Sequence, residues 1–435
     1  MLGNAVLGAF CIVLFSFILT GLPLLGALAV GFMLFVGYGV RKGFGLKNVL
    51  HMAWEGILSV KTIFIVFMLI GMLTGLWRAS GTLAYIIAQA SQFIRPAIFL
   101  LLAFWLNCGI SFLLGTAFGT AATMGIITMS ISQTLGIPSV YTGGAILAGA
   151  YFGDRMSPVS TSALLVSVLT GTDLYKNITN MVKSALIPFI ASSLIYLGLG
   201  LALPVVPSET LGLAGPMDAV FAFTPVLVLP AVSILLLSAF KVSVKKNMAV
   251  SILCAAVLCF LVQHIRPVDM LEIMLYGYQC PNKELAHMLN GGGIMSMVRV
   301  SAIVLLSASF GGIFKGTGLL NGVQHLCDRL HTKIGTFPAM VVSAIFTSMV
   351  TCNQTLAIVL THQLCGPFVQ DKDRLALNLE DTAVVIPPLI PWAIASATVL
   401  DSVGGTLTSI PWACYLYLIP VWGIVRGLKK GKSEQ

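Results

Sequence analysis

The stretch GAYFGDRMSPVSTSALLVSVLTGTD, which runs from Gly149 to Asp173, decides the fold of this chain. It embeds Asp154 and a series of hydroxyl side chains in an apolar sequence. A charge at the centre of a membrane helix costs about 2.5 to 3.5 kcal/mol on insertion scales, so Asp154 indicates function. Because Pro158 removes a backbone donor and Gly149 and Gly153 loosen the helix nearby, we expect a broken helix here. Its freed backbone groups would lie beside a carboxylate and hydroxyls, as in the ion sites of transporters.

Composition indicates an all-α polytopic membrane protein. Of 435 residues, 57% are hydrophobic and only 9% are charged, against about 25% charged in an average soluble domain. The mean hydropathy is +0.98. The net charge of +9 arises from Lys and Arg residues scattered through short loops and gathered at the C-terminal end. This pattern reflects membrane topology and excludes nucleic acid as a partner.

The two halves of the chain contain similar segments with opposite loop charge. RASGTL at 78–83 matches KGTGLL at 315–320, and the basic loop at 41–47 has a weakly acidic counterpart at 266–295. Such a pattern predicts two inverted-topology repeats with broken helices and re-entrant hairpins, about ten transmembrane spans in all. We expect a first repeat at 1–203, a linker at 204–218, a second, inverted repeat at 219–428 and a cytoplasmic basic tail at 429–435. The positive-inside rule then places both termini in the cytoplasm.

Two further segments combine apolar residues with small polar ones. The segment 96–133 contains Thr116 and Thr120 and is too long for one span of about 20 residues, so we expect a broken helix or a re-entrant hairpin. In the second half, TCNQT supplies Asn353 and Gln354 at the corresponding place. Because Gly, Ser and Thr also serve close helix packing in lipid, a purely structural interpretation stays open.

Two carboxylate clusters could bind a cation. A sodium site needs about five or six oxygen ligands, and Asp154 with Ser157 and Ser160 provides one such cluster. Asp381, with Glu380 and Asn353, provides the expected counterpart in the second half. Glu380 and Asp381 point about 100 degrees apart on a helix, so only one of them needs to face the site.

Competition at one carboxylate is sufficient for antiport. Burial favours the neutral form of a carboxyl group, which can hold a proton and release it when a cation arrives. The expected ion or substrate ligands are Asp154, Ser157, Ser160, Thr161, Thr116, Thr120, Asn353, Gln354, Glu380 and Asp381, with Asp154 and Asp381 as the sodium candidates.

Several charged residues also have simpler interpretations. Asp154 could pair with Arg155 or another base at a helix end near the membrane interface. Arg155 could alternatively be the countercharge of a substrate carboxylate. Asp401, near the end of an apolar run, is more often an interfacial cap.

Three motifs carry a family resemblance. GDRMSPVS at Gly153 to Ser160, TD at Thr172 and Asp173, and LED followed by IPW at Ile390 to Trp392 resemble the signature regions of the NhaC family of sodium/proton antiporters. The resemblance covers nearly the whole chain. It implies an ion-transporter-type fold of two inverted repeats in the bacterial cytoplasmic membrane, and an exchange of cytoplasmic sodium for external protons.

The chain departs from that family at two positions. Members commonly have an acidic residue where this chain has Thr161, and an Asn where it has Ala393. Family relatives also exchange small carboxylates such as malate and lactate. The favoured function is therefore sodium/proton antiport, and the alternative is a sodium- or proton-coupled carrier of a small organic acid or amino acid.

A channel or a membrane-embedded enzyme is the third class of function. The sequence lacks the HExxH and GxSxG motifs, which disfavours an enzyme, and it lacks a Walker A pattern, which indicates transport driven by gradients. We expect no cofactor. The expected partners are membrane lipids, sodium and protons, with a small organic solute and a second copy of the chain as alternatives.

Overall fold

The described part of the computed structural model is mainly helical and contains no strand beyond an isolated bridge between Tyr278 and Gly291. It describes residues 2–20, 22–59, 61–93, 95–158, 160–203, 220–240, 242–282, 286, 289–319 and 331–433. The predicted linker at 204–218 and the last two residues of the predicted tail lie outside these ranges. The rest of the predicted tail continues the last helix, which ends at Ser433.

The helices of the first half follow one another through short connections. They are α1 (Leu2–Leu19), α2 (Leu24–Arg41), α3 (Leu46–Ser59), α4 (Lys61–Ala79), α5 (Thr82–Phe93), α6 (Pro96–Leu114), α7 (Ala117–Thr120), α8 (Ile126–Thr134), α9 (Ser139–Met156), α10 (Thr161–Thr170) and α11 (Leu174–Ala202). A π-helical turn, Ala121–Gly125, joins α7 to α8.

The second half contains α12 (Leu229–Ala239), α13 (Val244–Leu261), α14 (Pro267–Tyr276), α15 (Val298–Thr317), α16 (Thr336–Thr351), α17 (Gln354–Cys365), α18 (Lys372–Glu380), α19 (Ile394–Ser402) and α20 (Cys414–Ser433). Short 3-10 turns lie at Pro225–Val228, Ile294–Met297, Gly366–Phe368, Pro387–Leu389 and Leu407–Trp412.

Several helices are suited to a membrane. Three described helical stretches are long and apolar enough to cross one, namely Pro96–Leu114, Leu174–Ala202 and Ile294–Thr317. Helices α3 and α4 form a fourth candidate as a pair bent by 50°. Large apolar side chains such as Leu194 and Leu253, 63% and 65% exposed, face outward. Helices satisfy their own backbone groups, which hydrocarbon requires of a spanning segment.

Two helices break in the same way. Helix α6 ends at Gly115 in the left-handed conformation (φ 65°), and α7 begins after an extended Thr116 (φ −151°). Helix α16 ends at Cys352 (φ 55°), and α17 begins after an extended Asn353 (φ −134°). A left-handed residue ends a helix and the extended residue redirects the chain. The breaks predicted in the segment 96–133 and near TCNQT are thus confirmed.

The stretch around Asp154 is also broken as predicted, but the glycines before it have another role. Helix α9 runs unbroken through Gly149 and Gly153 to Met156, and α10 starts at Thr161. An added Cβ at Gly153 would lie 2.0 Å from the carbonyl carbon of Ser111. The expectation that these glycines loosen the helix is therefore wrong, because they allow α9 to pack directly against the backbone of α6.

Candidate functional site

Asp154 lies two residues before the end of α9, and its buried carboxylate is surrounded by neutral donors. Its Oδ2 atom accepts hydrogen bonds from Ser162 Oγ at 3.0 Å and from Gln354 Nε2 at 2.9 Å. The backbone N–H of Ala117 also donates to this carboxylate. The described residues contain no ion pair of Asp154, so the expected alternative, a pair with Arg155, is wrong.

Gln354 has a defined orientation because its amide nitrogen has two acceptors. Nε2 donates to Asp154 Oδ2 and to the carbonyl oxygen of Val384, both at 2.9 Å. Both N–H bonds of the amide are then used, which distinguishes its nitrogen from its oxygen. The Oε1 atom remains as an acceptor at the cavity that Gln354 lines.

A cavity of about 150 Å³ opens beside Asp154. We call it the Asp154 cavity. Five of the predicted site residues line it together, namely Asp154, Thr161, Thr116, Asn353 and Gln354. The other lining residues are Ile63, Ala117, Phe118, Tyr151, Ser162, Thr355, Ile394 and Ala395. Residues from both halves of the chain therefore build one polar cavity.

Four helices begin at this cavity. Ala117, Thr161, Gln354 and Ile394 are the first residues of α7, α10, α17 and α19, and all four line it. The N–H of Ile394 donates to the carbonyl of Cys352 at 2.9 Å and ties two of the breaks together. Helix N-termini carry partial positive charge. They stabilise the ionised Asp154 and any other negative charge that enters.

Five predicted ligands do not line the Asp154 cavity, namely Ser157, Ser160, Thr120, Glu380 and Asp381. Ser160 caps α10, where its Oγ accepts from the backbone N–H groups of Ser162 and Ala163 and donates to the carbonyl of Asp154. Thr120 donates to the carbonyl of Thr116 at 2.9 Å within its own helix. Ser157 is buried at the end of α9. In this conformation Ser160 and Thr120 hold the broken helices in shape.

Asp381 is separate from this cavity and forms an ion pair with Arg155. Both side chains are buried, at 1% and 0% exposure, and the carboxylate also accepts from Ser184 Oγ at 3.0 Å. Arg426 Nη2 lies 3.5 Å from the other carboxylate oxygen, Asp381 Oδ2. The expected grouping of Asp381 with Asn353 is therefore wrong for this conformation.

Arg155 uses its whole guanidinium group within the protein. Beyond Asp381 and Ser184, its Nε donates to the carbonyl of Glu380 at 3.2 Å and its Nη1 lies 3.5 Å from Tyr415 Oη. The expected alternative, in which Arg155 binds a substrate carboxylate, does not fit this arrangement. Arg155 instead joins α9 to α18, α11 and α20.

Glu380 is fully buried beside that ion pair. Neither of its carboxyl oxygens has a hydrogen-bond partner within the described part of the chain. An unpaired buried carboxylate is costly, whereas a neutral carboxyl group is much less so. The arrangement favours a protonated Glu380.

Two lining residues with side-chain hydrogen bonds, Ser162 and Tyr151, are not among the ligands expected from the sequence. Ser162 donates to Asp154, and Tyr151 lines the cavity while its Oη donates to the carbonyl of Ala395 at 2.9 Å. Tyr151 precedes Asp154 by three residues on α9, so helical spacing places both on one face. For Ser162 the available signal was its position just inside the helix that follows Pro158.

Comparison with known proteins places this chain among membrane antiporters. The model of the Na+/H+ antiporter family matches residues 1–168 and 149–427. The chain is 26% identical to the Na+/H+ antiporter NhaC of Bacillus subtilis, with 89% of this chain and 88% of that protein covered.

Two other relatives have organic substrates in their names. The malate-2H+/Na+-lactate antiporter of Bacillus subtilis is 26% identical, over 89% of this chain and 85% of its own length. The arginine/ornithine antiporter ArcD of Halobacterium salinarum is 27% identical, over 88% and 80% respectively. The names of these relatives thus include exchangers of inorganic ions and exchangers of organic solutes.

Proposed function

Since this chain belongs to the Na+/H+ antiporter family of the NhaC type, we propose that it exchanges sodium for protons and that both ions bind at Asp154. The observation that carries the proposal is a buried carboxylate without a basic partner in the described structure, on the wall of a polar cavity between broken helices. A carboxylate in such surroundings can bind either ion but not both at once.

The Asp154 cavity supplies hard oxygen ligands for sodium. Asp154, Thr116, Thr161, Asn353 and Gln354 line it and carry carboxylate, hydroxyl and amide oxygens, although the amide oxygen of Asn353 also accepts from the N–H of Leu356 at 3.3 Å. About five or six oxygens of these types suit a hard cation. Sodium binding would displace the proton from Asp154, and protonation would in turn release sodium.

Because four helices start at the cavity, a cation can bind there only with the help of Asp154. Their partial positive charges oppose sodium, so the cavity attracts a cation only while Asp154 is ionised. Protonation of this one side chain would change the cavity from attracting a cation to repelling it. That coupling is the physical basis we propose for antiport.

The remaining architecture is proposed to serve alternating access. Two inverted repeats at 1–203 and 219–428, about ten spans and two cytoplasmic termini would place the Asp154 cavity near the bilayer midplane, where such transporters bind their substrates. In this scheme the ion pair of Asp381 with Arg155 and the contacts of the buried Glu380 change between the two access states. Glu380 is also a second group that could carry a proton. Ion gradients drive the cycle, and no cofactor takes part.

A second candidate function is exchange of a small organic acid or amino acid, coupled to sodium or protons. Four positive helix ends at one cavity favour a carboxylate ligand, and the names of two relatives include malate, lactate, arginine and ornithine. The acidic and Asn side chains common in the family are replaced by Thr161 and Ala393, which leaves fewer ligands for a cation.

Proton flux in proteoliposomes distinguishes the two functions. Purified protein is reconstituted with a pH dye inside, and sodium, lithium, potassium, carboxylates and amino acids are added in turn. A sodium-triggered pH change without an organic solute is expected. The half-saturating sodium concentration should rise as the pH falls, by about tenfold per unit where one proton is displaced. If no pH change occurs until one organic solute is added, the second candidate function is established instead.

A further inference from the structure

A second polar cavity, of about 210 Å³, lies at the other end of α19 from the Asp154 cavity. We call it the Arg78 cavity. It is lined by Thr74, Arg78, Ile126, Met129, Ser130, Gln133, Asn290, Gly292, Ser296, Met297, Asp401, Ser402, Val403 and Gly404. The two cavities share none of these residues. Helix α19 has nine residues, which separates the cavities by about 13 Å.

Arg78 lines the Arg78 cavity, and one of its buried nitrogens is unpaired within the described part of the chain. It lies in the last turn of α4, and its Nε atom is buried and has no hydrogen-bond partner within the described ranges. An added Cβ at Gly291 would lie 3.8 Å from its Cζ, so the guanidinium group lies beside the loop at 290–292. A cation at a helix C-terminus is favourable, but a buried donor left unpaired is costly.

Asp401 supplies the opposite charge at the same cavity. It lies at the end of α19 and is partly buried. The ion pairs of the described residues include neither Asp401 nor Arg78, so these two groups are not within 4.0 Å of each other. The positive charge of Arg299 also acts on Asp401 and favours its ionised form.

No described residue forms an ion pair with Arg78 or Asp401, although the charge of Arg299 acts on Asp401. Helices α4, α8 and α19 all end beside this cavity, so their negative ends add to the field that a cationic group near Asp401 would experience. Asn290 uses its Oδ1 to accept from the N–H of Cys280 at 2.6 Å, which leaves its N–H bonds for another acceptor. Ile126, Met129 and Met297 provide an apolar wall.

We propose that the Arg78 cavity binds a small zwitterion, with its carboxylate at Arg78 and its ammonium group at Asp401. A guanidinium group pairs with a carboxylate through parallel hydrogen bonds, and a carboxylate pairs with an ammonium group. A singly charged anion would be repelled by Asp401, and a singly charged cation would be repelled by Arg78. A ligand with both charges satisfies both groups, and an amino acid is the common molecule of that kind.

Equilibrium binding to the purified full chain tests this site. The probes are glycine, alanine, β-alanine and 4-aminobutyrate, which vary the distance between the charges, with propionate and ethylamine as singly charged analogues. Titration calorimetry in sodium-free buffer should show one amino acid bound more tightly than either analogue. Equal affinity for propionate or ethylamine, or no binding of any zwitterion at millimolar concentration, would overturn the proposal.

Charge-removing variants locate the ligand. Arg78→Gln and Asp401→Asn should each raise the dissociation constant by about tenfold to a hundredfold, as expected for lost hydrogen bonds to charged groups. Arg266→Gln and Asp269→Asn, which remove an exposed ion pair, should leave it unchanged. Chromatographic profile and melting temperature identify any variant that fails to fold, and for such a variant Arg78→Lys or Asp401→Glu is measured instead.

Asp154→Asn separates this inference from the proposed function. It should leave zwitterion binding unchanged, because Asp154 lines the other cavity. Loss of binding in Asp154→Asn together with normal binding in Arg78→Gln would place the ligand in the Asp154 cavity and overturn the inference. Failure of sodium/proton exchange would contradict the proposed function but leave this binding result intact.

Discussion

Gln354 donates a hydrogen bond of 2.9 Å to Asp154 across 200 residues of chain. Gln354 begins α17 and Asp154 lies in the last turn of α9, so the bond joins the broken helices of the two halves. Its second N–H bond, to the carbonyl of Val384, connects the same pair to the irregular segment after α18. A change in the charge of Asp154 therefore acts directly on the junction between the halves.

Replacing Asp154 with Asn should abolish sodium-triggered proton flux. The amide keeps nearly the same volume but cannot ionise, and the four helix starts then oppose a cation without compensation. Insertion and folding should be preserved, because the neutral donors around this position can bond to an amide oxygen. The measurement is the dye response in proteoliposomes, with Asp269→Asn as an exposed control. Normal flux in Asp154→Asn would eliminate the proposed mechanism.

Replacing Gln354 with Leu should weaken sodium binding without abolishing exchange. Loss of a hydrogen bond to the ionised form of Asp154 favours its neutral form, and bonds to charged groups contribute about 1.5 to 3 kcal/mol. The half-saturating sodium concentration should rise about tenfold or more, most strongly at low pH. Gln370→Leu, at an exposed position, is the matched control. An unchanged sodium dependence would show that this hydrogen bond does not tune the site.

The sequence predicted where the helices break better than which side chains meet. Pro158 and the polar segments around Thr116 and Asn353 indicate breaks locally, because a helix end depends on nearby residues. The partner of Asp381 depends on how α18 packs against α9, which no spacing reveals. Arg155 follows Asp154 directly, yet the two side chains diverge by about 100 degrees on the helix and enter different networks.

Replacing Asp381 should destabilise the protein more than replacing its ion-pair partner Arg155. Breaking a buried pair costs about 3 to 5 kcal/mol because it leaves an uncompensated charge. Asp381→Asn leaves two guanidinium groups without their carboxylate, whereas Arg155→Gln leaves Asp381 with Arg426 at 3.5 Å. Asp381→Asn should therefore lower the melting temperature in detergent more than Arg155→Gln does.

The double variant tests whether these losses share one cause. Arg155→Gln with Asp381→Asn removes both charges, so it should lose less stability than the sum of the single variants. Asp373→Asn, which breaks the exposed pair with Lys176, should leave the melting temperature nearly unchanged. Additive losses in the double variant would mean that the two charges do not stabilise each other.

Replacing Thr161 with Asp should strengthen sodium binding. Thr161 is the first residue of α10 and lines the Asp154 cavity, and an acidic side chain at a helix N-terminus contributes about 0.3 to 1 kcal/mol. Folding should therefore tolerate the change, while a second carboxylate at the cavity offsets the positive helix ends. The half-saturating sodium concentration should fall about threefold to tenfold, with Thr161→Asn as the uncharged control. An equal or higher sodium requirement in Thr161→Asp would contradict a sodium site in this cavity, because an added negative charge should attract a cation bound there.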